Sequence, residues 1–275
     1  MSTAGSLSRA VLLFVVIDLE NVQSGRMSTQ QTTDNSRESM PRTARDRARA
    51  EVTKEITVAA RAQLATGGAS ALSLRAVARA VGMVSSAVYR YFPSRDDLLT
   101  ALIVDAYIAV GEAATTADAA VQRTKPMRRW LAVSDAVRRW ARASPHEYGL
   151  IFGTPVPGYR APADTIDPAV TVPLILLDIL VVSERNGSSV GWSGRPIPAS
   201  MRRDLGGVRA SLGPLNDEAA ALGDAALAQG LMAWTQLIGA ISFEMFGHLH
   251  NVIHDHDAYF THQMRNIGLD LGLTA

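Results

Sequence analysis

Cysteine is absent from the 275-residue chain. Disulfides and thiolate metal sites are thereby excluded, and the composition suits a reducing cytosol. Strand signals are nearly absent too. Neither a G-x-x-x-x-G-K-[ST] phosphate loop nor a G-x-G-x-x-G turn after a strand occurs, and no enzyme is expected. The short apolar run from Ala10 to Ile17 falls far below the ~20 residues that span a bilayer. No small-x-small cleavage site follows it, since Asp18, Glu20 and Asn21 come next. Charge of one sign is lacking overall, with a net of +1. Hydrophobic residues make up 47% and charged residues 19%, enough for a substantial core in a soluble protein.

The small net charge hides an asymmetry. Residues 41–95 carry ten Lys+Arg against three Asp+Glu, a net of +7, whereas residues 1–40 come to −1 and residues 96–275 to −5. A basic segment on an acidic body is the footprint of a nucleic-acid reader joined to another module. Residues 1–40 fit neither part. Their polar stretch from Gln23 to Met40 reads as a disordered extension or an overlong start, with Met27 or Met40 as the true first residue.

The basic segment holds the organising stretch, Ser73 to Arg95. Leu74, Val77 and Val81 share one helix face, and Val84, Val88 and Phe92 repeat at i, i+4 and i+8 on a second helix. Gly82 between them suits a helix-ending residue of positive φ, and Pro93 stops the second helix. Upstream, Val52, Ile56, Ala60 and Leu64 mark an amphipathic helix closed by Gly67-Gly68. Three helices over about 45–92, the second pair joined by a tight glycine turn, make a helix-turn-helix head whose last helix lies in the DNA major groove.

Chemistry assigns roles within it. Ser73 caps its helix, and Arg75 can fork onto a guanine edge. Ser85, Ser86 and Ala87 stand at the leading end of the reading helix, nearest the base edges. Tyr89 and Arg90 share its polar face. The phenols of Tyr89 and Tyr91 suit phosphate, as do Arg45 and Arg47 before the first helix and Arg95 after the head. Phe92 is read as core, and Tyr91 as part core and part contact.

Ser73, Val77-Ala78, Gly82, Tyr89-Arg90-Tyr91-Phe92-Pro93-Ser94-Arg95 and Leu98-Leu99 together resemble the DNA-binding head of the TetR family of transcriptional regulators. In that family the matching positions contact operator DNA. Two departures stand out. Val84 occupies a position where the family usually has a small hydroxyl residue, and valine cannot cap, at a cost of about 1 kcal/mol. Ser85 capping one residue later would be less free to read a base. Arg95 replaces the usual lysine.

Beyond the head, helices are expected at 96–114, from Pro126 to Ser144, at 146–152, at 167–183 with an interruption near Pro173, at 199–211, at 217–250 and at 257–272. The arginines of the Pro126 helix (Arg128, Arg129, Arg138, Arg139 and Arg142) read as a solvated face. The pattern Trp234, Gly239, Phe243-Glu244, Phe246-Gly247 is similar to a C-terminal type of the TetR family. That resemblance implies a four-helix homodimer interface from the last two helices, with Leu231, Ile238, Ile241, Met245, Tyr259 and Phe260 lining it. A ligand cavity would draw on Trp130, Trp140, Tyr148, Phe152, Leu176, Met232 and Trp234, each of which also reads as plain core. Five histidines gather at His248, His250, His254, His256 and His262. His250 and His254 are spaced to share a helix face and a zinc, but no metal or cofactor is expected.

The sequence thus predicts an all-α protein: residues 41–95 a helix-turn-helix domain, residues 96–275 a helical ligand-binding and dimerisation domain. The function expected is a cytoplasmic regulator, a repressor released from double-stranded operator DNA by a small apolar effector, with no membrane association. The rival readings are a dimeric architectural DNA-binding protein without ligand, and a metal-binding protein using the histidine cluster.

Overall fold

The computed structural model describes residues 43–187 and 196–274. The first forty residues, with Arg42, lie outside these bounds, as do residues 188–195 of the glycine-rich stretch. Every described element is helical. The chain forms two compact units. The head contains the described residues up to Leu102 together with Val156–Arg160; the body contains Ile103–Pro155 and the described residues from Ala161 onward.

In the head, α1 (Ala44–Gly67) starts at Thr43, whose hydroxyl oxygen accepts from the Asp46 amide and donates to the Asp46 carboxylate. This reciprocal cap satisfies an orphan amide of the first turn. The helix ends at Gly68, φ +67°, whose N–H bonds to Leu64 O. A 3-10 turn (Ala69–Ala71) leads to α2 (Leu74–Ala80), which Ser73 caps through the Ala76 amide. Gly82, φ +68°, ends α2, and the Met83 amide reaches back to Ala78 O at 2.9 Å, the paired closure that glycine permits. Then comes α3 (Ser85–Val88), with Val84 at its N-cap and no side-chain cap. The expected helix to Phe92 is shorter because its last turn tightens: Arg90 and Tyr91 bond back three residues rather than four. Ile56, Ala60, Leu64, Leu74, Val77, Val88 and Phe92 fill the core.

Helix α4 (Arg95–Ala119) begins in the head and continues into the body. Ser94 caps it, accepting from the Asp97 amide at 3.1 Å and donating to Asp97 Oδ2 at 2.7 Å.

The body adds α5 (Pro126–Ala143), α6 (Pro145–Phe152), α7 (Ile166–Ala169), α8 (Thr171–Arg185), α9 (Ala199–Leu212), α10 (Asp217–Ala220), α11 (Asp224–Met245) and α12 (His256–Asp270). The expected 167–183 helix breaks at Val170, not at Pro173. Pro173 sits in the first turn of α8, where its missing N–H has no partner to lose. The expected 217–250 helix is also divided. Gly223 is extended, and Gly247, φ +77°, terminates α11 while the His248 amide bonds to Phe243 O.

Helix α12 packs most extensively on α5. Gly268 lets α12 approach closely: a Cβ there would lie 2.7 Å from Met127 Sδ and 3.0 Å from Trp130 Cδ1. Trp130 Nε1 donates to Met264 O at 2.6 Å. Helices α4 and α11 are long and apolar enough to cross a membrane by length and composition alone, yet 50% and 44% of their apolar windows are buried inside the fold.

Two arginines overturn the solvated-face expectation for α5. Arg129 and Arg138 are 2% and 4% exposed. Arg129 forks onto Asp118 at 2.8 and 2.9 Å and reaches Asp178 at 2.8 Å. Burial alone would lower its pKa, but these hydrogen-bonded carboxylates outweigh burial and raise it. Arg138 forks onto Glu244 at 2.7 and 2.9 Å, meets Asp257 at 2.7 Å, and lies 4.8 Å over the Phe260 ring. Buried guanidinium persists because its charge is met by carboxylate forks; of the Arg129 nitrogens, Nη1 alone is buried without a hydrogen-bond partner. Arg128, Arg139 and Arg142 are exposed, as expected.

Candidate nucleic-acid interface

The positive φ of Gly82 reverses the chain so that α3 projects from the head with one side buried and one free. Val88 anchors it at 0% exposure, while Ser86 and Arg90 are exposed and Tyr89 is 43% exposed. Ser85 and Ala87 are half-buried. Ser85 does not replace Val84 as cap: it is the first residue inside α3, which has no side-chain cap. Its hydroxyl is therefore not spent on the helix end.

The flanking cations fall into two groups. Arg45, Arg47, Arg75, Arg79 and Arg90 are exposed. Arg49 lies with its guanidinium carbon 5.5 Å from the Tyr91 ring centre, tying the start of α1 to the end of the reading helix. Arg45 is one turn earlier on that same side, while Arg47 projects about 200° around the helix from Arg45. Ser73 is half-buried, its Oγ accepting from Ala76 and its N–H donating to Gln63 Oε1; its place is structural.

Arg95 departs from expectation. Nε donates to Leu72 O at 3.2 Å, Nη2 to Ala69 O at 2.8 Å, and Nη1 pairs with Asp96 at 3.3 Å. Its guanidinium is committed to the turn that precedes α2, a positioning role in place of the phosphate contact its charge suggested. Nothing in the residues around position 95 signals those two carbonyls, which stand more than twenty residues earlier.

No Asp or Glu stands between Glu55 and Asp96. Residues 56–95, which include α2 and α3, therefore supply cations, hydroxyls and phenols but no carboxylate. Such a segment attracts a polyanion and offers side chains that bond both phosphates and base edges.

The body's expected ligand residues do not all meet. Trp140, Tyr148, Phe152 and Trp234 form an aromatic cluster with Tyr107 and Phe246, at ring separations of 5.2–6.4 Å. Tyr148 bonds Ser242 Oγ at 2.7 Å and Ile238 O at 3.1 Å, and burial pushes its phenol up to about 12. Trp130 is turned to α12 instead, Leu176 is buried on α8, and Met232 is 44% exposed.

Of the expected interface residues, Ile241 and Phe260 are 0% and 4% exposed within a single chain. They are core, because their stripe faces α5 and α6 rather than outward. Leu231, Ile238, Met245 and Tyr259 are half-buried. Between α11 and α12 runs a groove of about 480 Å³ lined by Gly239, Ala240, Phe243, Leu249, Tyr259 and Ile267. Phe243 is 55% exposed, and its place in the Phe243-Glu244 pattern carries no signal of a surface position.

The histidines do not converge. Among the described residues no group of three or more His, Asp or Glu side chains could hold a metal ion. His250 and His254 share no helix face, since α11 ends at Met245 and Asn251 adopts φ +63° in the turn between.

A three-helix head with a projecting, hydroxyl-rich reading helix, joined to an all-helical body, defines a helix-turn-helix transcriptional regulator. Residues 56–102 match the profile of bacterial regulatory proteins of the tetR family, and residues 130–267 match the tetracyclin repressor-like C-terminal domain. The HTH-type transcriptional regulators Rv1816 of Mycobacterium tuberculosis (strain H37Rv) and Mb1846 of Mycobacterium bovis are each 38% identical over 205 residues, spanning 73% of this chain and 83% of theirs. The crystal structure of SCO4313, described as a regulatory protein, superposes with a TM-score of 0.64 at 31% identity, covering 82% of this chain and 98% of that one. A Rhodococcus sp. RHA1 protein of unknown function shares the fold at a TM-score of 0.60 and 19% identity, over 80% of this chain and 95% of its own. The chain belongs to the TetR family of transcriptional regulators; it is a DNA-binding regulator and not an enzyme.

Proposed function

We propose that the protein is a cytoplasmic homodimeric repressor that leaves its double-stranded operator when a small apolar effector enters the body. The observation that carries the DNA half of this reading is the free face of α3, with Ser86 and Tyr89 turned to solvent on a head that has no carboxylate between Glu55 and Asp96. One head reads a few base pairs, so a two-fold dimer is needed for useful specificity. The groove between α11 and α12, lined also by Gln236, Gln263, Asn266 and Asp270 and bearing the exposed Phe243, supports that dimer.

The effector half rests on chain connectivity. Helix α4 runs from head to body, and the chain re-enters the head at Val156–Arg160, directly after α6 and its aromatic residues Tyr148 and Phe152. An effector lodged among those aromatics would shift α4 and change the separation of the two reading helices. A difference of a few kcal/mol between bound and free spacing suffices to release DNA.

Protection mapping on genomic fragments tests the reading. The expected footprint has two inverted half-sites one helical turn apart, about 34–36 Å. The protein should sediment as a dimer. Indifference to every duplex at low ionic strength would refute the DNA half. A liganded structure with unchanged separation of the reading helices would refute the effector half.

A further inference from the structure

We propose that Val84 is a specificity-determining residue that reads the C5 methyl group of a thymine at one fixed position of each half-site. The inference rests on the DNA-binding reading above and adds to it a base contact. Val84 is 70% exposed, more than any other large hydrophobic among the described residues. It stands at the N-cap of α3 with an extended backbone, φ −70° and ψ 143°, and makes no capping hydrogen bond.

Two ordinary explanations for a valine here fail. It does not fill the core, since Val77 and Val88 hold that place at 0% exposure. It does not support its helix either, because an aliphatic side chain leaves the first amides of α3 without the acceptor that Ser, Thr or Asn supplies. What Val84 does offer is two methyl groups ahead of the leading end of the reading helix. Its neighbours do not cover them: Ser86 is small and exposed, and Ser85 and Ala87 are small and half-buried.

In helix-turn-helix complexes the leading end of the second helix faces the base edges. Donors and acceptors make up the major-groove edge of every base except for one apolar group, the methyl of thymine. An exposed aliphatic residue at that place gains by covering a methyl. Over the amino group of cytosine, the same residue removes water from a donor and supplies no acceptor. The pairing is therefore selective, and it complements the adjacent Ser86, whose hydroxyl bonds several bases.

The test uses full-length protein and duplexes selected by it from a random pool. Each thymine of the selected half-site is replaced in turn by deoxyuridine, which removes only the C5 methyl. At one position, repeated symmetrically, wild-type binding should weaken about fourfold per methyl removed. Val84→Ala and Val84→Ser should bind thymine and uracil duplexes alike, while Val84→Thr, which keeps one methyl, should retain part of the preference. Were Val84 acting only through helix stability, the Ser and Thr variants would tighten on all duplexes equally and the thymine-to-uracil ratio would stay unchanged. A ratio of one at every position for the wild type, or a ratio that survives Val84→Ala, overturns the inference and leaves the DNA-binding reading intact. If the wild type selects no duplex at low ionic strength, both fall.

Discussion

The Tyr159 hydroxyl lies 2.8 Å from Thr100 Oγ1, so the loop that follows α6 is held on the first turns of α4. The two residues are 59 positions apart and both belong to the head. Burial raises the Tyr159 pKa, and the Thr100 bond opposes that rise. Tyr159→Phe keeps the ring and removes the bond, and should lower stability by about 1 kcal/mol. Urea denaturation checks this, with faster amide exchange expected over 95–102. Unchanged exchange there would mean that the loop is held by other contacts.

The Arg138–Glu244 fork joins α5 to the end of α11. Glu244→Gln removes one of the two carboxylates that meet a buried guanidinium, leaving Asp257 and the glutamine carbonyl oxygen, and should cost about 2 kcal/mol, whereas the double change Arg138→Met with Glu244→Leu should recover much of it. Denaturant midpoints of the three proteins decide the matter. Equal loss in the single and double variants would show that packing, and not charge, governs the site.

Arg138 also fixes a pH dependence. Its hydrogen bond and charge hold the Asp257 carboxyl below the ordinary value of 3.8, with Arg142 adding to the effect. The folded pKa is depressed. The stabilisation is thus present above the ordinary carboxylate pKa and is lost as pH falls through the folded value. Asp257→Asn should therefore be less stable than wild type at pH 7, and the gap should close in acid. A gap that does not narrow as the pH falls below 3.8 would contradict the assignment.

Tyr148 gives the opposite limb. Its folded pKa of about 12 lies above the ordinary 10.0. The neutral phenol is favoured in the folded state, so stability is intact below pH 10 and declines as pH rises towards 12, by about 3 kcal/mol in total. Tyr148→Phe should remove that part of the alkaline slope. Its phenolate absorption should appear only well above pH 10.

Val84→Thr supplies the cap that α3 lacks and should raise head stability by about 1 kcal/mol. Gly82→Ala should lower it by 1–2 kcal/mol, roughly, because φ +68° disfavours a Cβ even though nothing lies within 4 Å of it. Thermal melts of the two variants should move in opposite directions. If both move the same way, the α2–α3 turn does not control head stability.

The architecture was legible where periodicity and turn chemistry agreed. Leu74, Val77 and Val88 point inward as their spacing predicts, and Gly82 takes the positive φ that its place between two apolar stripes demands. Ser86, Tyr89 and Arg90 are exposed as that pattern implies, but Val84, which the same pattern put on the apolar stripe, is 70% exposed because it stands at the N-cap, ahead of the helix. What stayed hidden were relations between distant residues. Arg129 and Arg138 looked solvated because their carboxylate partners, Asp118, Asp178, Glu244 and Asp257, lie on other helices. Arg95 looked like a phosphate ligand because Ala69 O and Leu72 O carry no side-chain signature. The resemblance implied Ile241 and Phe260 at the dimer interface, but they are buried within one chain, because periodicity alone does not say which stripe turns inward.

The stretch free of carboxylates from Glu55 to Asp96 has a kinetic consequence. A recognition segment with cations and no carboxylate of its own attracts any duplex, matched or not, through counterion release. The protein then scans along the double helix between pauses at its target rather than returning to bulk solution after each miss. Raising the ionic strength shortens each scan.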